Sequence, residues 1–167
     1  MSQAEHKSQA PASVGCYVLT VSDTRTADTD SSGRAILELL EQGGHRVTGQ
    51  SIVKDDPLQV GGVVSITLKD PATQVILVTG GTGITSRDGT FEAISHLLEK
   101  RLEGFGELFR MLSFQEIGPA AMMSRAVAGT IDRKAIFVLP GAENAVRLAM
   151  TRLILPELGH VVQQLNK

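Results

Sequence analysis

Short unbroken apolar runs alternate along this chain with stretches whose apolar residues recur every three or four positions. The runs are Cys16-Tyr17-Val18-Leu19-Thr20-Val21, Val75-Ile76-Leu77-Val78-Thr79 and Ala135-Ile136-Phe137-Val138-Leu139. Each is brief, and polar, Gly or Pro residues follow it at once, which predicts buried parallel strands. Another strand is predicted near Arg46 to Val53. Ile36, Leu39 and Leu40 fall on one face of a helix that Gly43-Gly44 stops. Asp56-Pro57-Leu58-Gln59 opens a second helix, with Asp as cap, Pro in the first helical position and Gln placed to close a capping box. Val60, Val63, Val64, Thr67 and Leu68 continue it on one stripe, and Pro71 ends it. Helices are predicted over 90–102 and 105–117, with a short one from Ala120 towards Ala126. A last helix carries Val146, Ala149, Met150, Leu153 and Ile154 and continues past Pro156 with a kink.

Strands alternating with helices at this spacing predict an α/β fold with a mostly parallel sheet and helices on both faces. One domain is expected over residues 14–167, preceded by a polar tail, 1–13, rich in Ser, Gln and Ala. In such sheets, ligands bind at the carboxyl ends of strands where the strand order reverses. The polar loops that begin at Ser22, Thr79 and Pro140 all follow predicted strands, so the chemistry belongs there.

Composition narrows the classes. With 167 residues the chain can bury a single core. Aromatic residues make up only 4% and Trp is absent, so that core must be largely aliphatic. A formal net charge of −2 gives no electrostatic footprint for nucleic acid or an anionic membrane, so any phosphate must be held locally by backbone amides and a few placed cations. No apolar stretch is long enough to span a bilayer, and no hydrophobic signal core opens the chain, which leaves a cytoplasmic location. The lone Cys16 sits in an apolar run and is expected to act as a small core hydrophobe. His6, His45, His96 and His160 show no metal-ligand spacing.

The sharpest chemical feature is Thr79-Gly80-Gly81-Thr82-Gly83. Closely spaced glycines let a backbone approach a ligand and turn several N–H groups on one anion, and the two Thr hydroxyls add donors. The spacing is that of neither a P-loop nor a G-x-G-x-x-G fingerprint, and a plain tight turn is the alternative. Asp88 either caps the next helix or binds a divalent metal beside a phosphate; its neighbour Arg87 either neutralises phosphate or points into solvent. Asp56 is accounted for as a cap, whereas Asp55, at a strand end, is free for a metal or for solvent. For Asp23, after Ser22, loop stabilisation and ligand binding are both open. Gly104-Phe105-Gly106-Glu107 fits a hinge plus a first-turn acid, Ser124-Arg125 a subunit contact or a ligand pair, and Pro140-Gly141 a second anion site.

Taken in order, Thr20-Val21-Ser22-Asp23, Asp30-Ser31-Ser32-Gly33, Thr79-Gly80-Gly81-Thr82-Gly83, Arg87-Asp88-Gly89-Thr90, Gly104-Phe105-Gly106-Glu107, Ser124-Arg125-Ala126 and Leu139-Pro140-Gly141 resemble the MoaB/Mog family of molybdenum-cofactor biosynthesis proteins, which also occurs as domains of gephyrin and of plant molybdenum-insertion proteins. The resemblance covers nearly all of the chain beyond the tail, and the run from Glu103 to Gly118 is most similar to the MoaB branch. It departs from the family pattern at three places: Lys54 and Phe91 stand where Pro is usual, and Ala142-Glu143 replaces the usual Ser/Asn-Pro.

The resemblance implies a three-layer α/β/α molybdopterin-binding fold, a homotrimer or a homohexamer built from trimers, and transfer of AMP from Mg-ATP to the phosphate of molybdopterin with release of pyrophosphate. It implies that Asp55 and Asp88 are the essential acids and hold Mg2+. Thr79, Gly80, Gly81, Thr82, Gly83 and Arg87 would face nucleotide and phosphate, with Ser22, Asp23, Glu107, Ser124, Pro140 and Gly141 framing the remaining pocket. The adenylylated product would pass to a molybdenum insertase. The alternative is an oligomer that binds or carries molybdopterin without converting it.

Overall fold

A computed structural model describes residues 2–167, and Met1 lies outside the described residues. Its elements run α1 (Gln3–Ser8), β1 (Gly15–Val21), α2 (Ser31–Gln42), β2 (Arg46–Val53), α3 (Pro57–Leu68), β3 (Val75–Thr79), α4 (Thr90–Ser95), β4 (Lys100–Arg101), α5 (Glu103–Ile117), a 3-10 segment (Gly118–Met123), β5 (Val127–Ile131), β6 (Lys134–Leu139), α6 (Glu143–Ala149), a π-helical turn (Met150–Ile154) and α7 (Leu155–Leu165). The strands form one six-stranded sheet in the order β2-β1-β3-β6-β5-β4. The first four in that order are parallel, while at the far edge β5 pairs antiparallel with β6 and β4 antiparallel with β5.

Period-two alternation sends the apolar runs to both faces of this sheet. Cys16, Val18, Val75, Leu77, Ala135 and Phe137 pack with Ile36, Leu40, Phe109, Met150 and Leu158 under α2, α5 and α7. Leu19, Val21, Ile76, Val78, Ile136 and Val138 pack on the opposite face with Val60 and Val64 of α3 and Ile94 of α4. The result is the three-layer α/β/α arrangement that the sequence predicts.

The helix termini follow their local chemistry. Asp30 caps α2, its Oδ1 accepting from Gly33 N at 3.0 Å while Thr20 Oγ1 donates to Oδ2 at 2.7 Å. Gly44, at φ 78°, closes the other end in the left-handed region, and His45 N donates back to Leu40 O. Asp56 caps α3 by accepting from Leu58 N at 2.9 Å. The capping box is not completed, because the Asp56 N–H donates to Lys54 O instead of to Gln59.

Four regions differ from the sequence expectation. The helix expected over 90–102 ends at Ser95, and the chain turns into β4, which pairs with β5. β5 itself, Val-Ala-Gly-Thr-Ile, has too little alternation and bulk to stand out, yet it forms a hairpin with β6. Its two turn residues, Asp132 and Arg133, adopt φ of 48° and 62° without the Gly or Asn that normally marks such a turn. The short helix expected from Ala120 is a 3-10 segment starting at Gly118. The last helix does continue past Pro156, as expected, through a π-helical turn in which Leu155 N–H reaches back to Met150 O. In the segment expected as a tail, α1 is exposed and tied to the body by a Lys7–Glu157 ion pair.

Cys16 is fully buried, and burial pushes its thiol up to about 12. Native protein should therefore show no reactive thiol to a disulfide reagent at about pH 8, where an exposed cysteine is partly thiolate. One thiol should appear on adding denaturant. Fast labelling of the native protein would show that the core opens beside β1.

Candidate functional site

β1 lies between β2 and β3, so the chain leaves β1 on one side of the sheet order and resumes on the other. The loops after these strands part at this point and leave a crevice at their carboxyl ends. A cleft of about 390 Å3 opens there. Val21, Ser22 and Arg25 form one wall, Gly80 to Gly83 and Asp88 the floor, and Met123, Ser124, Pro140 and Gly141 the far wall.

The glycines of the floor are dictated by contact. Gly80 has φ 103°, and a Cβ there would lie 2.1 Å from Val21 O. Gly81 has φ 69°, and its Cβ would lie 1.9 Å from Thr90 Oγ1 and 2.8 Å from Asp55 Oδ2. Only hydrogen fits at either place, so the backbone runs against β1 and the start of α4. Thr79 is fully buried, and its hydroxyl donates to Pro140 O at 2.8 Å, which ties the loop after β3 to the loop after β6 instead of facing the cleft. Thr82 is likewise buried.

Asp88 stands on the cleft, but it does not cap α4; Gly89 occupies that position with no side-chain cap. Both donors of Thr85 fall on Asp88 Oδ2, the amide at 2.9 Å and the hydroxyl at 2.6 Å, and Oδ1 takes neither. The Thr85 hydroxyl, with the Thr85 and Gly83 amides and the Arg125 charge, holds the Asp88 carboxyl below the usual carboxylate range against its partial burial. Asp55 is pushed the other way. It is buried, and burial raises its pKa, helped by repulsion from Asp88 and Asp23 and opposed by the Gly89 amide and the Arg87 charge. Its Oδ1 accepts from Gly89 N at 3.1 Å and from Thr90 Oγ1 at 3.5 Å. Asp55 thus organises the entry to α4 behind the glycine floor, within electrostatic reach of Asp88.

Asp23 and Arg87 form a bidentate pair, at 3.0 and 3.1 Å. Asp23 Oδ1 also accepts from Asp55 N at 3.1 Å, and Arg87 donates to Asp55 O at 3.2 Å. These two residues lash three loops together, and Arg87 holds the Asp23 carboxyl low. The Ser22 hydroxyl accepts from the amides of Thr24 and Arg25, at 3.2 and 3.0 Å, which fixes the first loop as it leaves β1. Glu107 is exposed on α5 and does not line the cleft. The Ser124 hydroxyl is buried in the cleft wall with no partner among the described residues.

Of the residues singled out by sequence, Ser22, Gly80, Gly81, Thr82, Gly83, Asp88, Ser124, Pro140 and Gly141 therefore meet on one cleft, while Asp23, Asp55, Thr79 and Arg87 brace it from behind. Arg25, not among the residues expected at the site, is the one cation among the lining residues. It bonds Ser32 and lies 3.8 Å from Asp30. A basic residue four positions beyond a strand end, in a loop already marked as ligand-facing, was the available signal.

No group of three or more His, Cys, Asp or Glu among the described residues is arranged to hold a metal ion. Asp88 is the one carboxylate among the cleft-lining residues, with Asp55 behind the glycine floor, and Mg2+ binds through one or two protein carboxylates and completes its shell with phosphate and water.

A family model described as a probable molybdopterin binding domain matches residues 17–160. A Bacillus cereus relative named molybdenum cofactor biosynthesis protein B is 53% identical over 168 residues, covering 100% of this chain and 99% of its own. A crystal structure of a molybdenum cofactor biosynthesis protein B superposes with a TM-score of 0.91 at 53% identity, covering 95% of this chain and 99% of that one. A tungsten cofactor synthesizing protein MoaB from Pyrococcus furiosus superposes with a TM-score of 0.85 at 36% identity, covering 95% and 100%. A chain with this cleft, this strand order and these relatives belongs to the MoaB/Mog family of molybdopterin-binding domains.

Proposed function

We propose that this protein acts in molybdenum cofactor biosynthesis by transferring AMP from Mg-ATP to the phosphate of molybdopterin, releasing pyrophosphate. The observation that carries the reading is the convergence of Arg25, Asp88 and the Gly80–Gly83 backbone on one cleft at the point where the strand order reverses. In this reaction an oxygen of the molybdopterin phosphate attacks the α-phosphorus of ATP. One P–O bond forms as the bond from that phosphorus to the bridging oxygen breaks, and pyrophosphate leaves with the electron pair. There is little covalent work for the protein in such a transfer, so positioning and charge stabilisation must supply the acceleration.

The Gly81 and Thr82 amides on the floor of the cleft and the Arg25 guanidinium on its wall supply donors for phosphate oxygens, while the Gly80 amide is taken by Leu139 O. Ser124, with its hydroxyl unclaimed, supplies one more. Asp88, with Asp55 behind the glycine floor, would hold Mg2+, whose charge would offset that of the phosphates. Asp23, Arg87 and Thr79 act through the loops they fasten. The location remains cytoplasmic in this reading, and a molybdenum insertase receives the product. Among the described residues no helix is long and apolar enough to cross a membrane.

The oligomer belongs to the same proposal. Leu108, Met111, Phe114, Ile117, Met122 and Met123 are exposed along α5 and the segment after it, an apolar surface suited to contact between copies of this chain. Sedimentation equilibrium should give a trimer or hexamer, and Met111→Glu should shift it towards monomer. A monomeric wild-type protein would remove this part of the reading.

The decisive measurement is pyrophosphate formed on mixing the protein with molybdopterin and Mg-ATP. Molybdopterin binding without pyrophosphate, at saturating nucleotide, would replace the enzyme with a carrier. Asp88→Ala should lower turnover about 100-fold or more while the protein still unfolds cooperatively at a similar temperature, since a loop carboxylate does not support the core. Asp55→Ala should raise the magnesium concentration needed for half-maximal rate. An unchanged magnesium dependence would remove Asp55 from the metal-binding role.

A further inference from the structure

Arg125 lies outside the lining of the cleft, yet every nitrogen of its guanidinium is occupied beside it. Nε donates to Thr82 O at 3.0 Å, and one terminal nitrogen donates to Gly83 O. The same terminal nitrogen lies 3.5 Å from Glu92 Oε2, and the other pairs with Glu92 Oε1. The guanidinium carbon sits 5.0 Å over the centre of the Phe91 ring. Thr82 and Gly83 are the last two residues of the glycine floor, and the chain from Ile84 to Arg87 beyond them is exposed.

We infer that Arg125, seated on Phe91 and held by Glu92, is a positioning residue that sets which way the peptide groups of the glycine loop point. Peptide groups are planar and trans, so a carbonyl turned to one side turns the following N–H to the other. Drawing Thr82 O and Gly83 O onto Arg125 therefore directs the N–H groups of Gly83 and Ile84 away from it. Gly83 itself lies against Asp88, whose carboxyl carbon is 3.1 Å from where a Gly83 Cβ would be. Asp88 Oδ2 also lies only 2.7 Å from where a Gly83 Cβ would be, so the orientation of Gly83 and the seat of Asp88 are set together. A glycine-rich stretch has the largest freedom to lose, and no strand partner supplies this order. A planar fork can hold two successive carbonyls at once, whereas a lysine ammonium, as a point donor, cannot match both. With its acceptors already in place, Arg125 has no need of substrate to be fixed.

The inference rests on the proposed reaction for its consequence, but the loop itself can be read without ligand. Amide hydrogen exchange of Gly81 to Ile84 in the ligand-free protein should speed up about tenfold or more in Arg125→Met, the loss expected for charge-assisted hydrogen bonds, and less in Arg125→Lys. Glu92→Gln and Phe91→Ala, which alter only what Arg125 rests on, should give a smaller rise in the same amides and leave cooperative unfolding intact. Mg-ATP affinity, measured by calorimetry, should weaken in the same order as the exchange rises. Unchanged exchange in Arg125→Met alongside weakened nucleotide binding would overturn the inference in favour of direct ligand contact. Faster exchange with unchanged affinity would overturn it as well, by separating loop order from binding. Wild-type protein that binds no Mg-ATP would instead defeat the proposed reaction, while the exchange rates would still decide whether Arg125 holds the loop.

Discussion

Strands β1 and β3 run parallel with Thr20 opposite Thr79, so both leave the sheet at the same height. Their closeness there leaves no room for a side chain between them: Gly80 rests against the Val21 carbonyl, and Gly81 against Thr90 and Asp55. The rest of the molecule's chemistry depends on that contact. It brings the loop after β3 onto the loop after β1 and exposes a stretch of bare backbone where phosphate donors are needed. Asp55 and Asp88 are drawn to the two sides of the same turn. A single methyl group at Gly80 would have to displace the main chain of β1 itself.

Charge is distributed around this contact in local pairs. Asp23 with Arg87, Glu92 with Arg125 and Asp30 with Arg25 each join residues distant in sequence, or at opposite ends of a loop, and so fasten loops that have no strand partners. Most of these side chains are partly exposed, so their worth lies less in stability than in geometry. Among the described residues, neither Asp88 nor Asp55 forms a salt bridge of this kind. They depend on hydrogen bonds instead, and they are pushed in opposite directions, Asp88 by donors that favour its charge and Asp55 by burial that opposes it. A net charge near zero thus conceals a site in which one acid, Asp88, faces the place proposed for a nucleotide while a second, Asp55, lies behind the glycine floor.

Much of this organisation was legible along the chain. The parallel strands β1, β2, β3 and β6 and the helices α2, α3 and α5 lie where the periodicity places them, because each carries its own pattern of burial and its own stop signal. The hairpin of β5 and β6 was not legible. Ala128 and Gly129 have little intrinsic preference for a strand, and the turn at Asp132-Arg133 uses left-handed conformations that residue type does not announce. β4 is shorter still and exists only because β5 is beside it. Phe91, a departure from the family pattern, acquires a purpose only in space, under the Arg125 guanidinium.

The amino-acid order alone determined the α/β class, the single sheet, the loops that carry chemistry and the ordered motifs of the family, since all of these arise from patterns within one element and its ends. Tertiary structure alone decided how the candidate residues divide. Thr79 turned inward to Pro140, Arg87 closed on Asp23, and Asp55 passed behind the glycine floor, while Asp88 and the overlooked Arg25 came to the cleft. The reason is physical: whether a polar side chain meets solvent, ligand or another loop depends on which loops the strand order makes neighbours, and that pairing is written in no local stretch of the chain.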